Sequence, residues 1–371
     1  MAADAFPTSA SVVVVGGGVI GLSAAYHLAA SGVRDVVLVE KDELGSGSTC
    51  KAAGGVRAQF SDAVNVELGL RSLRTFERFA EDFGQEIDLH QVGYLFLLDS
   101  SEHVALFEQN VALQHELGVP SRMLDVAEAK RLSPLVDTDG LLAAAYSPTD
   151  GHCTPESVVL GYATAARGAG ARLLRRTAVE AIELDGADIK AVHTTGGRIA
   201  TDTVVCAAGA WSAEVGALAG VDLPVTPERR EIVVTEPVPG LDPRTPFTID
   251  FASTFYFHAE GSGLLMGMSD PDLIPAAVAR RTPSLSEVGI ASGWAGLYEN
   301  TPDHNGLIGE VEAVHRFLYA TGFSGHGFLM GPAVGEVVRD LFLGREPVVD
   351  VRALDVRRFA GSGARPELNI V

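Results

Sequence analysis

Two glycine clusters and a few charged side chains carry the chemistry legible in this chain. The first cluster, Gly16-Gly17-Gly18-Val19-Ile20-Gly21, follows the run Val12-Val13-Val14-Val15 and precedes an alanine-rich helical pattern. In this G-x-G-x-x-G spacing, Gly16 permits the tight turn out of a strand and Gly18 lets the backbone approach a diphosphate. Gly21 lets the next helix pack close to the sheet, while that helix's free N–H groups face the phosphates. A second valine-rich run, Val36-Val37-Leu38-Val39, ends in Glu40. A carboxylate at that distance accepts hydrogen bonds from a ribose 2′-OH and repels a 2′-phosphate, which argues against NADP. The alternative is a glycine-rich turn in an ordinary α/β protein; the combination of strand, glycines, helix, strand and acid favours a dinucleotide site.

The second cluster is Thr321-Gly322-Phe323-Ser324-Gly325-His326-Gly327-Phe328-Leu329-Met330-Gly331. It follows an expected strand, Phe317–Ala320, and precedes an expected helix, Pro332–Phe342, closed by Gly344. N–H groups at such a helix start favour developing negative charge, the kind that gathers on a cofactor ring as it accepts a hydride. A turn made glycine-rich for close packing is the plainer alternative.

Positioning these clusters requires an α/β framework. Periodicity predicts strands at Ser11–Val15 and Val36–Glu40 around a helix Gly21–Ala30, then a small-residue loop over 45–55. Helices are expected from about Ala63 to Phe83, near Glu102–Leu117 and over Val126–Arg131. Another is expected at Pro155–Ala169, where Thr154 is a good N-cap and Pro155 a good first residue. Strands are expected at Val92–Leu98, Ala171–Leu174, Val179–Leu184, Ile189–Thr194, Thr203–Ser212, Glu231–Glu236, Thr254–His258 and Leu264–Met268. The resulting expectation is a discontinuous nucleotide domain (1–87, 146–224 and 301–371) with a second, sheet-rich domain inserted at 88–145 and 225–300.

The 371 residues suffice for two domains with real cores. A net charge of −20 argues against nucleic acid as a partner. Three cysteines (Cys50, Cys153, Cys206) without metal-ligand spacing point to a reducing compartment. The N-terminus lacks a basic region followed by an apolar one, and no apolar run approaches membrane-spanning length, so a cytoplasmic protein with neither metal nor membrane span is expected.

At this point the residues resemble the D-amino-acid-oxidase-type superfamily of FAD enzymes, most closely its sarcosine oxidase, glycine oxidase, dimethylglycine dehydrogenase and proline dehydrogenase branch. The resemblance rests on Gly16–Glu40, the loop Gly47–Phe60, Thr203–Ser212, and Tyr298-Glu299-Asn300-Thr301-Pro302-Asp303 through Gly335. It implies FAD, a Rossmann-like domain, and an inserted α+β substrate domain whose mixed or antiparallel sheet lies over one face of the flavin. Lys41, Ser48, Thr49, Lys51, Val179, Ala208, Gly209 and Trp211 would then lie along the cofactor, with Gly322, Ser324, Gly325, Gly327 and Phe328 at its other end. Arg57 falls where relatives hold a substrate carboxylate, a task suited to a permanently charged fork; a salt bridge or a contact to its own loop is the alternative. Tyr256 and His258, alternate residues of one strand, would share a face, with Tyr256 the better candidate to meet substrate and His258 open to a structural role. His326 would contact the flavin or its supporting backbone rather than act as a base.

The implied reaction is oxidation of the C–N bond of an amino acid or secondary amine by hydride transfer to flavin N5. Oxygen or another carrier would take the electrons. Relatives that bind flavin covalently do so through a cysteine matching Gly296 or a histidine matching Lys51, so dissociable FAD is expected. Lysines that assist oxygen in monomeric sarcosine oxidases match Leu265 and Leu329, so slow use of oxygen is expected, with Lys51 the one lysine left near the ring. Rival expectations are an FAD-dependent 2-hydroxy-acid dehydrogenase, an NAD enzyme, and a non-catalytic FAD-bearing assembly protein.

Overall fold

Val12–Val15 forms the centre of a six-stranded sheet because each of its valines is apolar and β-branched and is covered on both faces, as buried parallel strands require. The computed structural model describes residues 5–361 and 363–369. Within them the sheet runs Leu307–Glu310, Phe317–Thr321, Val204–Cys206, Val12–Val15, Val36–Val39, Arg172–Leu174. The last five are mutually parallel; Leu307–Glu310 pairs antiparallel as a hairpin. Helices Val19–Ala30, Pro155–Gly168 and Gly327–Phe342 share one core with one face of this sheet. On the other face lie the antiparallel strands Val179–Asp185, Asp188–Thr194 and Gly197–Ala200 and the short helix Ser212–Ala217.

The first and last of the three helices touch almost backbone to backbone. A Cβ on Gly335 would lie 2.1 Å from Ser23 Oγ, and one on Gly331 2.7 Å from Val19 Cγ2. The last helix starts at Gly327, not Pro332 as expected from the sequence. A proline inside a helix removes a hydrogen bond and crowds the preceding turn. Hydroxyls of neighbouring helices bond the backbone beside it: Ser23 Oγ donates to the Pro332 carbonyl (3.3 Å) and the Ala333 N–H donates to Ser72 Oγ (3.1 Å). Two further expectations are corrected. The single helix expected over 63–83 is two, Ala63–Glu77 and Phe79–Phe83, broken where Arg78 leaves helical geometry; the break lets Phe76 and Phe79 both enter the core. The strand expected over 203–212 ends at Cys206, and a 3-10 turn, Gly209–Trp211, follows before the helix.

The second sheet has eight strands, in the order Ile290–Asn300, Thr226–Thr235, Gly263–Gly267, Phe255–Glu260, Phe247–Asp250, Tyr94–Leu98, Ala143–Ser147, Arg122–Leu124. All neighbours are antiparallel except Phe247–Asp250 beside Tyr94–Leu98, so the sheet is mixed. Ala143–Ser147 belongs here and crosses the boundary expected at residue 146. The edge strand Ile290–Asn300 carries no apolar alternation and was not expected from the sequence. Among the described residues no helix is long and apolar enough to cross a membrane, and the three cysteines are unpaired thiols.

Candidate active site

A cavity of about 630 Å³ runs between the two sheets, a size typical of small-molecule and cofactor sites. One end is the turn Val15–Ile20. Gly16 adopts φ +114°, and a Cβ there would lie 2.2 Å from the Ala207 carbonyl oxygen, so only glycine fits. Gly18, the N-cap, is extended and has no side chain to cap the helix; Thr49 Oγ1 reaches in to accept from the Val19 N–H (3.1 Å). Gly21 does not line the cavity. A Cβ on it would come within 2.0 Å of the Gly16 carbonyl oxygen, so its part is the close packing of helix on turn.

Glu40 sits at the cavity edge, fixed by two backbone donors: Gly17 N–H to Oε2 (2.7 Å) and Asp42 N–H to Oε1 (2.9 Å). Each carboxylate oxygen keeps acceptor capacity for a diol. Beyond it, the Lys41 ammonium lies 3.3 Å from the Trp211 ring centroid, a cation–π contact on the cavity wall; burial pulls its pKa down. Ser48 donates to the Leu297 carbonyl (2.6 Å), tying the small-residue loop to the edge strand of the second sheet. Lys51, Val179, Ala208 and Gly209 also line the cavity.

The other end is the start of helix Gly327–Phe342, whose N-cap, His326, makes no side-chain cap. Gly325, His326, Gly327, Phe328 and Leu329 line the cavity, but Gly322 and Ser324 do not. Their expected contact with the cofactor is corrected: they brace the loop from behind. Gly322 (φ +72°) backs onto Thr301, whose methyl would lie 2.5 Å from an added Cβ. Ser324 Oγ accepts from the Thr301 N–H (3.2 Å), and its own N–H donates to the Glu299 carbonyl (3.2 Å). The Glu299 side chain, overlooked in the sequence, stands behind the same loop and touches the cavity. Thr321 Oγ1 donates to its Oε2 (3.2 Å), and burial raises its carboxyl to about 7 despite the Phe323 and Gly322 N–H groups.

The chain has a net charge of −20 and four lysines, yet Lys41, Lys51, Arg57 and Arg230 all line this cavity. With a helix N-terminus at each end whose N-cap residue supplies no side-chain cap, the site is built for anions. Its donors, the diol-ready carboxylate and the glycine cradle fit the diphosphate, ribose and electron-accepting ring of FAD.

The remaining wall is the second sheet. Alternation places Arg230 and Ile232, Phe247 and Ile249, and Tyr256 toward the cavity, with Tyr94 and Tyr298 beside them. Of these only Tyr256, and Tyr298 through its motif, were singled out in the sequence. His258 does not reach the main cavity. It is 1% exposed, its Nδ1 and Nε2 face the Ala259 and Ala53 carbonyls (2.8 and 2.9 Å), and burial lowers its pKa to about 4. Its expected catalytic role is therefore corrected to a structural one: neutral, it donates to one carbonyl and ties the strand to the 45–55 loop.

Arg57 lines the cavity but is only 3% exposed and heavily engaged. Nη1 donates to the Gln59 carbonyl, while Nη2 donates to the Asn369 carbonyl (2.6 Å) and faces His326 Nε2 (3.1 Å). The guanidinium also stacks 4.3 Å from the centroid of Phe60. Desolvation and the Arg57 charge hold His326 far below the usual imidazole range, so its neutral ring accepts from Arg57. The segment bearing Asn369 is anchored by Glu367, fully buried, which accepts from the Ser61 N–H and Oγ (2.9 and 2.7 Å) and from Asn65 Nδ2 (2.8 Å).

Comparison with known proteins agrees with this geometry. Residues 11–341 match the model of a family described as "FAD dependent oxidoreductase". The mitochondrial dimethylglycine dehydrogenase of Rattus norvegicus is 31% identical over 94% of this chain. The match covers 45% of that relative, so the chain spans under half its length. Among solved structures, the L-proline dehydrogenase of P. horikoshii is 34% identical with a TM-score of 0.90, covering 96% of this chain and 99% of that one. The glycine oxidase of Geobacillus kaustophilus is 28% identical with a TM-score of 0.83, covering 94% and 98%. The chain belongs to the family of FAD-dependent oxidoreductases.

Proposed function

We propose that this protein oxidises the C–N bond of a small amino acid or carboxylated secondary amine to an imine, using dissociable FAD. The observation that carries the reading is one cavity, with backbone donors for phosphate and a carboxylate acceptor for ribose at one end and an aromatic, arginine-bearing sheet over the other. Gly16, Gly18, Glu40 and Lys41 would hold the dinucleotide part, and Gly325–Phe328 the ring end. FAD supplies the two-electron acceptor for the reaction.

The chain's own residues do the rest. Phe247, Ile249, Tyr256 and Ile232 keep water from the reacting carbon and raise the strength of every charge interaction in the cavity. Burial pushes the Tyr94, Tyr256 and Tyr298 hydroxyls up, so all three stay protonated and act as donors rather than bases. His326 is neutral and committed to Arg57. Neither these tyrosines nor His326 is free to pull a proton from carbon, which favours hydride loss assisted by the lone pair of a neutral amine. A guanidinium on the wall fixes the carboxylate and so the α-carbon. The match to a dimethylglycine dehydrogenase, a proline dehydrogenase and a glycine oxidase supports the amine class.

Slow use of oxygen is part of this reading. Leu329, on the cavity wall, and Leu265, buried outside it, are apolar at the positions that match the oxygen-assisting lysines, while Lys51 lines the cavity. The test is anaerobic titration of the FAD-loaded protein with proline, sarcosine, glycine, D-amino acids and lactate, following bleaching of the flavin band. Bleaching by an amine is expected. Bleaching by lactate alone would assign a 2-hydroxy-acid dehydrogenase, and bleaching by none would overturn the catalytic reading.

A further inference from the structure

Two guanidinium groups, Arg57 and Arg230, line the cavity, and they differ in what they have left to give. Two-point capture of a carboxylate uses either the outer edge of a guanidinium (Nη1 with Nη2) or its side edge (Nε with Nη2). Nη2 belongs to both edges. In Arg57 the two Nη2 hydrogens go to the Asn369 carbonyl (2.6 Å) and toward His326 Nε2 (3.1 Å). Neither edge is free unless the 363–369 segment withdraws, and that segment is pinned by the buried Glu367.

Arg230 presents the opposite picture. It alternates on its strand with Ile232 so that both face the cavity, while Arg229 and Glu231 point away and pair with each other. Among the described residues only Nη1 is engaged, by Glu228 at 2.6 Å. Glu228 is itself held by Asn300 Nδ2. The guanidinium lies 5.4 Å from the Tyr298 ring centroid, and its cross-strand neighbour is Gly296, which puts no side chain in the way. Nε is buried and has no partner among the described residues. Buried donors in native proteins are almost always satisfied, and an unpartnered one on a cavity-lining side chain points to a ligand acceptor.

We propose that the substrate carboxylate is held by the side edge of Arg230, and that Arg57 is a positioning residue that binds the 363–369 segment and orients His326. This rests on the amino-acid reading of the site given above. The assignment makes the second sheet, rather than the loop after the flavin-contacting residues, the element that sets carboxylate specificity.

The test uses FAD-loaded Arg230→Met, Arg230→Lys and Arg57→Met, with acetate as a carboxylate that binds without reacting and perturbs the flavin spectrum. Arg230→Met is expected to weaken acetate, and any amino acid that bleaches the wild type, by about 30-fold or more, the usual cost of deleting one member of a desolvated charge pair. Arg230→Lys keeps the charge but loses the fork, so it should recover only part of the loss and guards against a misfolded methionine variant. Arg57→Met should leave acetate affinity within a few-fold while altering the pH dependence of reduction through His326. The proposal is overturned if folded, FAD-loaded Arg230→Met binds acetate like the wild type, or if Arg57→Met abolishes acetate binding. Acetate binding requires no turnover, so failure of the amine-oxidation reading would leave this outcome separately readable.

Discussion

Replacing Glu299 with glutamine should change how stability depends on pH. Its carboxyl is buried behind the glycine loop and raised from 4.5 to about 7, chiefly by desolvation. In the unfolded chain the group ionises near its ordinary value. Between those two pH values the native state holds a proton that the unfolded state has released, so stability falls as pH rises. The stabilisation is full below pH 4.5, is lost progressively up to about pH 7, and is flat beyond. At 1.36 kcal/mol per pH unit the loss is about 3 kcal/mol. Asp150, also raised to about 7 by burial, gives the wild type a similar slope of its own, so the informative quantity is the difference between variant and wild type. Urea unfolding with FAD in excess, from pH 4.5 to 8, should show Glu299→Gln gaining about 3 kcal/mol relative to wild type over that window. Parallel curves would refute the reasoning, because they would mean Glu299 is already ionised and solvated in the native state.

Glu40→Ala should weaken FAD by about tenfold or more, since a charge-assisted hydrogen bond contributes roughly 1.5–3 kcal/mol; fluorescence titration of the apoprotein measures it, and an unchanged Kd would remove Glu40 from the ribose site. Gly335→Ala should cost about 1–3 kcal/mol in urea unfolding, because the new methyl meets Ser23 Oγ at 2.1 Å and the Ser23 carbonyl carbon at 2.6 Å. Arg281→Met should destabilise by about 3–5 kcal/mol by leaving Asp250 buried without its partner; both side chains are 1% exposed, and Arg281 also ties the Asp137 and Asp139 carbonyls. Leu329→Lys should speed reoxidation of the reduced enzyme by oxygen by roughly 10²-fold, the scale of one well-placed charge stabiliser; stopped-flow mixing with aerated buffer reads it.

What could be read in advance follows from where the information lies along the chain. The end proposed to hold phosphate and ribose was legible as a structural unit because its parts are local: Gly16, Gly18, Gly21 and Glu40 fall within one strand–helix–strand unit whose spacing has a steric reason. Thr49, Lys51 and Trp211 came from matching motifs. Arg230, Tyr94 and Phe247 were not legible, since they meet only when strands far apart in sequence pair in one sheet. Glu299 was quoted within a motif, yet nothing local marks it as buried behind a loop 23 residues later. His258 and Arg57 mark the opposite limit. Residue type suggested chemistry, and packing against the Ala53 carbonyl and the 363–369 segment committed them elsewhere. Pro332 misled because proline opens helices more often than it sits inside one.

The order of strands in the six-stranded sheet has a consequence for how the protein is made. Val12–Val15 can pair at once with Val36–Val39, but its other edge waits for Val204–Cys206, and that strand waits in turn for Phe317–Thr321. At the pace of a ribosome, the four-valine edge stays open for roughly 10–40 s. An uncharged, β-branched edge is a template for pairing with another chain. Yield in a heterologous host should therefore depend more on chaperone supply and growth temperature during translation than on the stability of the finished fold.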